Sequence, residues 1–126
     1  MKPTKQIILV RDDLDTGLAS LASMVRFVSF NALYAEMPTA YGAEGYIAST
    51  LDYQEGSALA EWLDNGQALE IICVDNELEL LNLTEALSKF TPYSFTMKDS
   101  RSALCSAIGP VFDQDVNHLT KDLGGV

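Results

Sequence analysis

The chain has 126 residues, 48% hydrophobic and 21% charged, with a net charge of −10 from 18 acidic and 8 basic side chains. This length suits one domain with a core that holds without staples, and the composition is that of an ordinary soluble globular protein. No apolar run approaches the roughly 18 residues needed to cross a bilayer, the N-terminal residues show no signal-peptide cleavage pattern, and the acidic balance disfavours a broad grip on a phosphate backbone.

In chain order, residues 5–11 form a continuous apolar run rich in β-branched side chains, which predicts a central strand buried on both faces. Asp15 or Thr16 is placed to cap a helix over residues 17–35, with Leu18, Leu21, Ala22, Val25, Val28 and Ala32 on one stripe and Phe27, Phe30 and Tyr34 widening it. Pro38 ends it, and the glycine- and tyrosine-bearing stretch 39–54 reads as a loop with one short strand at 46–50. A short helix at 57–64 stops at Asn65-Gly66, and an apolar strand follows at 69–74. Asp75 or Asn76 caps a helix over 77–90 whose Leu78, Leu81, Leu83 and Leu87 are its expected buried side. Tyr93, Phe95 and Met97 alternate with Ser94 and Thr96 in a third strand, residues 98–102 make a polar turn, and a fourth strand at 103–108 ends at Gly109-Pro110. A last helix spans 113–121 with Val116 and Leu119 inward, and 124–126 is a frayed tail. The helices between the first three strands imply crossovers and parallel pairing, and the short last turn a hairpin, so the fold class is α/β: a three-layer α/β/α arrangement on a four-stranded mixed sheet, as one domain over residues 1–126.

Cys73 and Cys105 sit in apolar strands and read as reduced core thiols of a cytoplasmic protein, or as a disulfide or redox pair should their strands be neighbours. With His118 the only histidine and no cysteine pair at ligand spacing, a zinc site is not expected. Asp12, Asp13 and Asp15 form an acidic cluster that suits a helix start, where the dipole favours anions, or a divalent cation. Asp99, Arg101 and Ser102 offer a carboxylate, a cation and a hydroxyl at one strand end: a base or water-orienting group, an anion-binding group and a hydroxyl, or simply a polar turn in which Asp99 bonds backbone amides. Lys98 and Arg101 join Arg11 in one basic patch if their strands are adjacent. Ser20 and Ser23 have no nearby base for a serine nucleophile, and Trp62 reads as a core anchor. The tyrosines of the 41–53 stretch, with the apolar cover of the first helix, suit a pocket or a dimer interface.

Several stretches, taken in order, resemble the type 2 peptidyl-tRNA hydrolase family: Gln6-Ile7-Ile8-Leu9-Val10-Arg11 with Asp13-Leu14 and Gly17; Trp62 with Gly66-Gln67 and Val74-Asp75; Asp99 with Arg101; and Ala107-Ile108-Gly109-Pro110 followed by Val116-Asn117-His118-Leu119-Thr120. Gly17-Leu18-Ala19-Ser20 and the Val116 to Thr120 stretch also look like an uncharacterised family sharing that fold. The resemblance implies that family's fold, with Asp99 matching its catalytic aspartate and Arg101 and Ser102 its arginine and threonine after a one-residue deletion. It therefore implies Asp99 and Ser102 as catalytic and Arg101, Ser20 and Gly17 as binding residues, with no metal and no cofactor. The departures bear on activity. The hydrolases carry lysine after the helix-opening glycine, where this chain has Leu18, and many carry a histidine where it has Phe27; neither side chain can transfer a proton or steady a phosphate charge. The expectation is a diverged member without efficient peptidyl-tRNA cleavage that binds a small ligand or a protein, with a homodimer as one arrangement. tRNA is disfavoured by the net charge, and no membrane is involved. The alternatives are an active aminoacyl- or peptidyl-tRNA ester hydrolase using Asp99, and a non-enzymatic interaction module.

Overall fold

A computed structural model describes residues 2–121 and 123. The expected tail at 124–126 lies outside the described residues. The elements are β1 (Thr4–Arg11), α1 (Leu18–Tyr34), β2 (Thr39–Tyr41), β3 (Ile47–Ser49), α2 (Ala58–Asp64), β4 (Leu69–Val74), α3 (Glu77–Ser88), β5 (Ser94–Lys98), β6 (Ala103–Phe112) and α4 (Asp113–Thr120), with a 3-10 turn at Ala43–Gly45 between β2 and β3.

The main sheet is four-stranded and mixed, in the order β4-β1-β6-β5. β1 pairs with β4 in parallel, and β6 runs antiparallel to both β1 and β5. The expected parallel pairing therefore holds for β1 with β4 only: β4 and β5 end at opposite edges, because β6 inserts between β1 and β5. β1 is central, and Ile7, Ile8, Leu9 and Val10 are buried whichever face they point to. Its alternate residues feed two cores. Ile7 and Leu9 join Ile72, Val74, Leu80, Leu87, Ile108 and Val116 under α3 and α4, whereas Ile8 and Val10 join Val28, Ala32, Cys105 and Ala107 under α1. Helices on both faces make the three layers.

Local chemistry explains most boundaries. Asn76 caps α3, its Oδ1 accepting from the Glu79 amide at 2.9 Å, and Ser57 caps α2 through the Ala60 amide at 3.2 Å. Gly66, at φ +94°, turns the chain after α2, and the Gln67 amide donates back to the Trp62 carbonyl at 3.1 Å. Trp62 is a core anchor, 5% exposed, with its indole N–H on the Ala68 carbonyl at 2.8 Å.

Five expectations are corrected. The cap of α1 is Gly17, without a side-chain bond, rather than Asp15 or Thr16. On α1, Leu18 is 84% exposed and only Val28 and Ala32 are fully buried. On α3 the buried leucines are Leu80 and Leu87, while Leu78 and Leu81 face outward, a rotation of the helix from the expected face. Finally, β6 does not stop at Gly109-Pro110. The register shifts between its pairings with Lys5 and Ile7, and the cis Gly109-Pro110 step rides in that irregularity before pairing resumes at Val111 and Phe112. The loop expected to hold one strand instead forms a separate two-stranded hairpin, β2–β3.

Lys5 and Gln6 are the polar residues inside β1. Lys5 Nζ reaches Glu70 and the Asn117 side chain, both at 3.1 Å. Gln6 Nε2 donates to the Ser29 carbonyl at 3.1 Å, while the Ser29 hydroxyl donates to Gln6 Oε1, tying α1 to the sheet.

Candidate functional site

β1, β4 and β5 run the same way, so Arg11, Val74 and Lys98 end at one end of the sheet, where antiparallel β6 begins at Ala103. That end brings six polar residues together: Arg11 closing β1 and Asp13 just beyond it, Glu77 opening α3, and Asp99, Arg101 and Ser102 in the β5–β6 turn.

Asp99 shapes the turn. Its Oδ1 accepts from the Arg101 amide at 2.7 Å and the Ser102 amide at 2.8 Å, and its own amide donates to the Ser102 carbonyl at 3.0 Å. Those two backbone donors hold the exposed Asp99 carboxyl below the usual aspartate range, with smaller help from the Arg101 and Arg11 charges. Arg11 is a strut. Its Nε and Nη2 grip Asp13 at 2.9 and 2.8 Å, and Nη1 donates to Ser102 Oγ at 3.0 Å and the Ala103 carbonyl at 2.9 Å. The Asp13 bond holds the guanidinium above its ordinary value and the Asp13 carboxyl below its own. Four of Arg11's five N–H donors are thus committed inside the protein. Glu77 Oε2 accepts from the Ala103 amide at 2.6 Å and closes the other side.

The result is a shallow cavity of about 280 Å³ lined by Glu77, Leu81 and the whole turn from Lys98 to Ala103. Arg101 makes no ion pair among the described residues and is exposed. Ser102 Oγ accepts from Arg11 and keeps its own proton to donate. Chemically, the cavity offers the Arg101 cation and the Ser102 hydroxyl donor to an anionic group, while the Asp99 carboxylate is bonded to the turn amides. A serine nucleophile has no support, since no base is bonded to Ser102 Oγ.

Of the residues singled out in the sequence, Asp99, Arg101 and Ser102 share this cavity. Gly17 and Ser20 lie at the exposed start of α1 and do not line it. Lys98 and Arg101 sit on the turn, while Arg11 is consumed by Asp13 and Ser102 rather than adding to a basic patch. Asp13 is therefore a clamp on Arg11 rather than a helix cap, and no group of three or more metal-ligating side chains occurs among the described residues. Cys73 and Cys105 are both free: β1 separates their strands, and Val10 pairs with each of them. His118 is exposed, edge-on to Phe90 at 6.1 Å. The role of Glu77 was not legible beforehand, because a helix-opening glutamate ordinarily just serves the dipole.

A protein-family model described as Peptidyl-tRNA hydrolase PTH2 matches residues 4–125. The chain belongs to the type 2 peptidyl-tRNA hydrolase family. Two curated relatives, both named peptidyl-tRNA hydrolase and both from Halobacterium salinarum (strains R1 and NRC-1), are 27% identical to this family member over 126 residues, 94% of this chain and 96% of theirs. Among solved structures, a protein of unknown function from Agrobacterium tumefaciens C58 matches at a TM-score of 0.55 and 13% identity, covering 100% of this chain and 99% of that one, which shows the shared fold. Within the family frame, the two departures take physical form. Leu18 projects from the first turn of α1 at 84% exposure, and Phe27 packs edge-on against Phe95 at 5.6 Å.

No helix among the described residues is long and apolar enough to cross a membrane.

Proposed function

We propose that this chain is a diverged peptidyl-tRNA hydrolase-family protein that has lost efficient peptidyl-tRNA cleavage and uses the β5–β6 turn to bind a small anionic ligand. The observation that carries this reading is Leu18: where the resemblance implies a cation at the start of α1, an apolar side chain stands in solvent. Phe27 supports it, since that position now serves aromatic packing on β5. A carboxylate held ionised by turn amides is a weak proton acceptor, and losing a positioned acid–base group or charge stabiliser typically costs about 100-fold or more in rate. The net charge of −10 further opposes a polyanionic substrate. Two free thiols suit a reducing, cytoplasmic setting.

The test is a peptidyl-tRNA cleavage assay on the purified chain beside an active family hydrolase. The expected rate is lower by about 100-fold or more, and Leu18→Lys raises it. Efficient wild-type turnover that disappears in Asp99→Ala overturns the proposal. That outcome would establish the second reading, an ester hydrolase with Asp99 as its main polar catalyst, which the names of the curated relatives favour. Ligand binding is read separately, as thermal shifts across a panel of small carboxylates and phosphates that vanish in Arg101→Ala.

A further inference from the structure

A second cavity, of about 450 Å³, lies at the opposite end of the sheet from the β5–β6 turn. There β1 begins beside the end of β6, with Thr4 paired to Phe112, and β5 begins with Ser94 paired to Ile108. Four aromatic rings line the cavity: Tyr53 from the segment before α2, Phe90 and Tyr93 from the link between α3 and β5, and Phe112 at the end of β6. Its volume is in the range of small-molecule sites, and it shares no lining residue with the cavity at the β5–β6 turn.

The charge of this cavity is of one sign. Asp52, before α2, and Asp115, in α4, both line it, and among the described residues no lysine, arginine or histidine does. Neither carboxylate makes an ion pair among the described residues. Burial and the Glu36 charge push the Tyr93 phenol up, so a third carboxylate acts on the same place and the phenol stays protonated. Aromatic faces and carboxylates select the same kind of group, a cation carried on a hydrocarbon stem. The chain's own Lys2 shows that selection, its Nζ standing 5.4 Å from the Phe112 ring centre. A metal ion would leave the rings unused, a neutral apolar molecule would leave the carboxylates unpaired, and an anion would be repelled. Two carboxylates on different elements call for two positive charges. We propose that this cavity binds a linear aliphatic polyamine, with its ammonium groups on Asp52 and Asp115 and its methylene chain on the rings. The net charge of −10 draws such cations to the protein, and a cleft lined by one sign concentrates them.

Calorimetric titration of the purified chain with spermidine, at constant ionic strength, tests this. Spermidine is expected to bind saturably at one site. Butanediol, a stem without charge, and magnesium chloride, a charge without stem, are expected to give no comparable binding. Asp52→Asn and Asp115→Asn should each weaken spermidine binding about tenfold or more, the loss of one charge-assisted hydrogen bond. Tyr53→Leu keeps apolar area but removes a ring face, and should weaken binding about two- to fivefold. Asp52, Tyr53 and Asp115 are exposed, so folding is not at stake. Asp15→Asn, which removes a charge beyond the far end of β1, should leave the affinity unchanged. Absence of spermidine binding overturns the proposal. So does equal binding of butanediol, which makes the cavity merely apolar, or of magnesium, which makes the carboxylates a place for any cation. An affinity that Asp15→Asn lowers as much as Asp52→Asn and Asp115→Asn overturns it too, since that is charge screening over the whole surface.

Discussion

Ser29→Ala removes one hydroxyl, yet it should cost more than its size suggests. Gln6 is wholly buried in β1, and its Oε1 receives the Ser29 hydroxyl from α1. Its Nε2 serves the Ser29 carbonyl at 3.1 Å and the Gly109 carbonyl at 3.4 Å. Without the hydroxyl, a buried amide oxygen loses its donor, a loss of about 1–3 kcal/mol. Gln6→Leu nearly conserves volume and leaves the Ser29 hydroxyl free to turn onto its own helix at the Val25 carbonyl, so its cost should be about 1–2 kcal/mol. Once Gln6 is leucine, the Ser29 hydroxyl has no buried partner to satisfy. The double variant should then lie within about 1 kcal/mol of Gln6→Leu alone, a coupling of roughly 1–2 kcal/mol between the sites. Urea unfolding with unchanged m-values measures all four proteins. Strict additivity within about 0.5 kcal/mol, or a neutral Ser29→Ala, would refute the claim that this pair pins α1 to the sheet.

Three further outcomes are expected. Gly109→Ala should destabilise by about 2–4 kcal/mol in the same assay, because φ there is +114° and a Cβ would meet the Lys5 carbonyl at 3.0 Å and the Val111 nitrogen at 3.1 Å, both rigid backbone. In an NMR titration, Asp99 should ionise at lower pH than an ordinary aspartate: with its folded value depressed by the turn amides, its contribution to hairpin order is fully present above the unfolded value and is lost as pH falls through the folded one. Asp99→Asn should remove that acid-limb transition and leave the remainder of the profile alone. Burial pushes the Cys105 thiol up to about 12, so at mildly alkaline pH its labelling by a thiol reagent should be about 1,000-fold or more slower than that of a free cysteine, and become fast only in denaturant.

The layers were legible because burial on two faces leaves a plain trace. The unbroken apolar run of β1 and the alternation of Phe95 and Met97 in β5 are direct consequences of where those strands lie. What escaped was decided by tertiary fit. The leucine-rich α3 carries apolar residues on more than one side, so composition could not say that Leu80 rather than Leu78 or Leu81 faces the core. Gly109-Pro110 reads as a strand end, but a register irregularity lets β6 continue to Phe112. Gln6 is a polar residue at the head of an apolar strand, and only the approach of Ser29 from α1 shows why it is inside. At the site, the turn triad was visible as neighbours in sequence, whereas Arg11 and Glu77 reach it from strands and helices that only the fold assembles.

The polar groups around the β5–β6 turn all leave the sheet at the same end, and apart from Ala103 none of the residues there belongs to either apolar core. Chemistry and scaffold are only partly separate there: Asp99, Arg11 and Glu77 also hold the turn through their hydrogen bonds. Arg101, exposed and without an ion pair among the described residues, is the side chain that evolution can exchange with little penalty in folding, so that reactivity at the rim can drift while the frame stays intact.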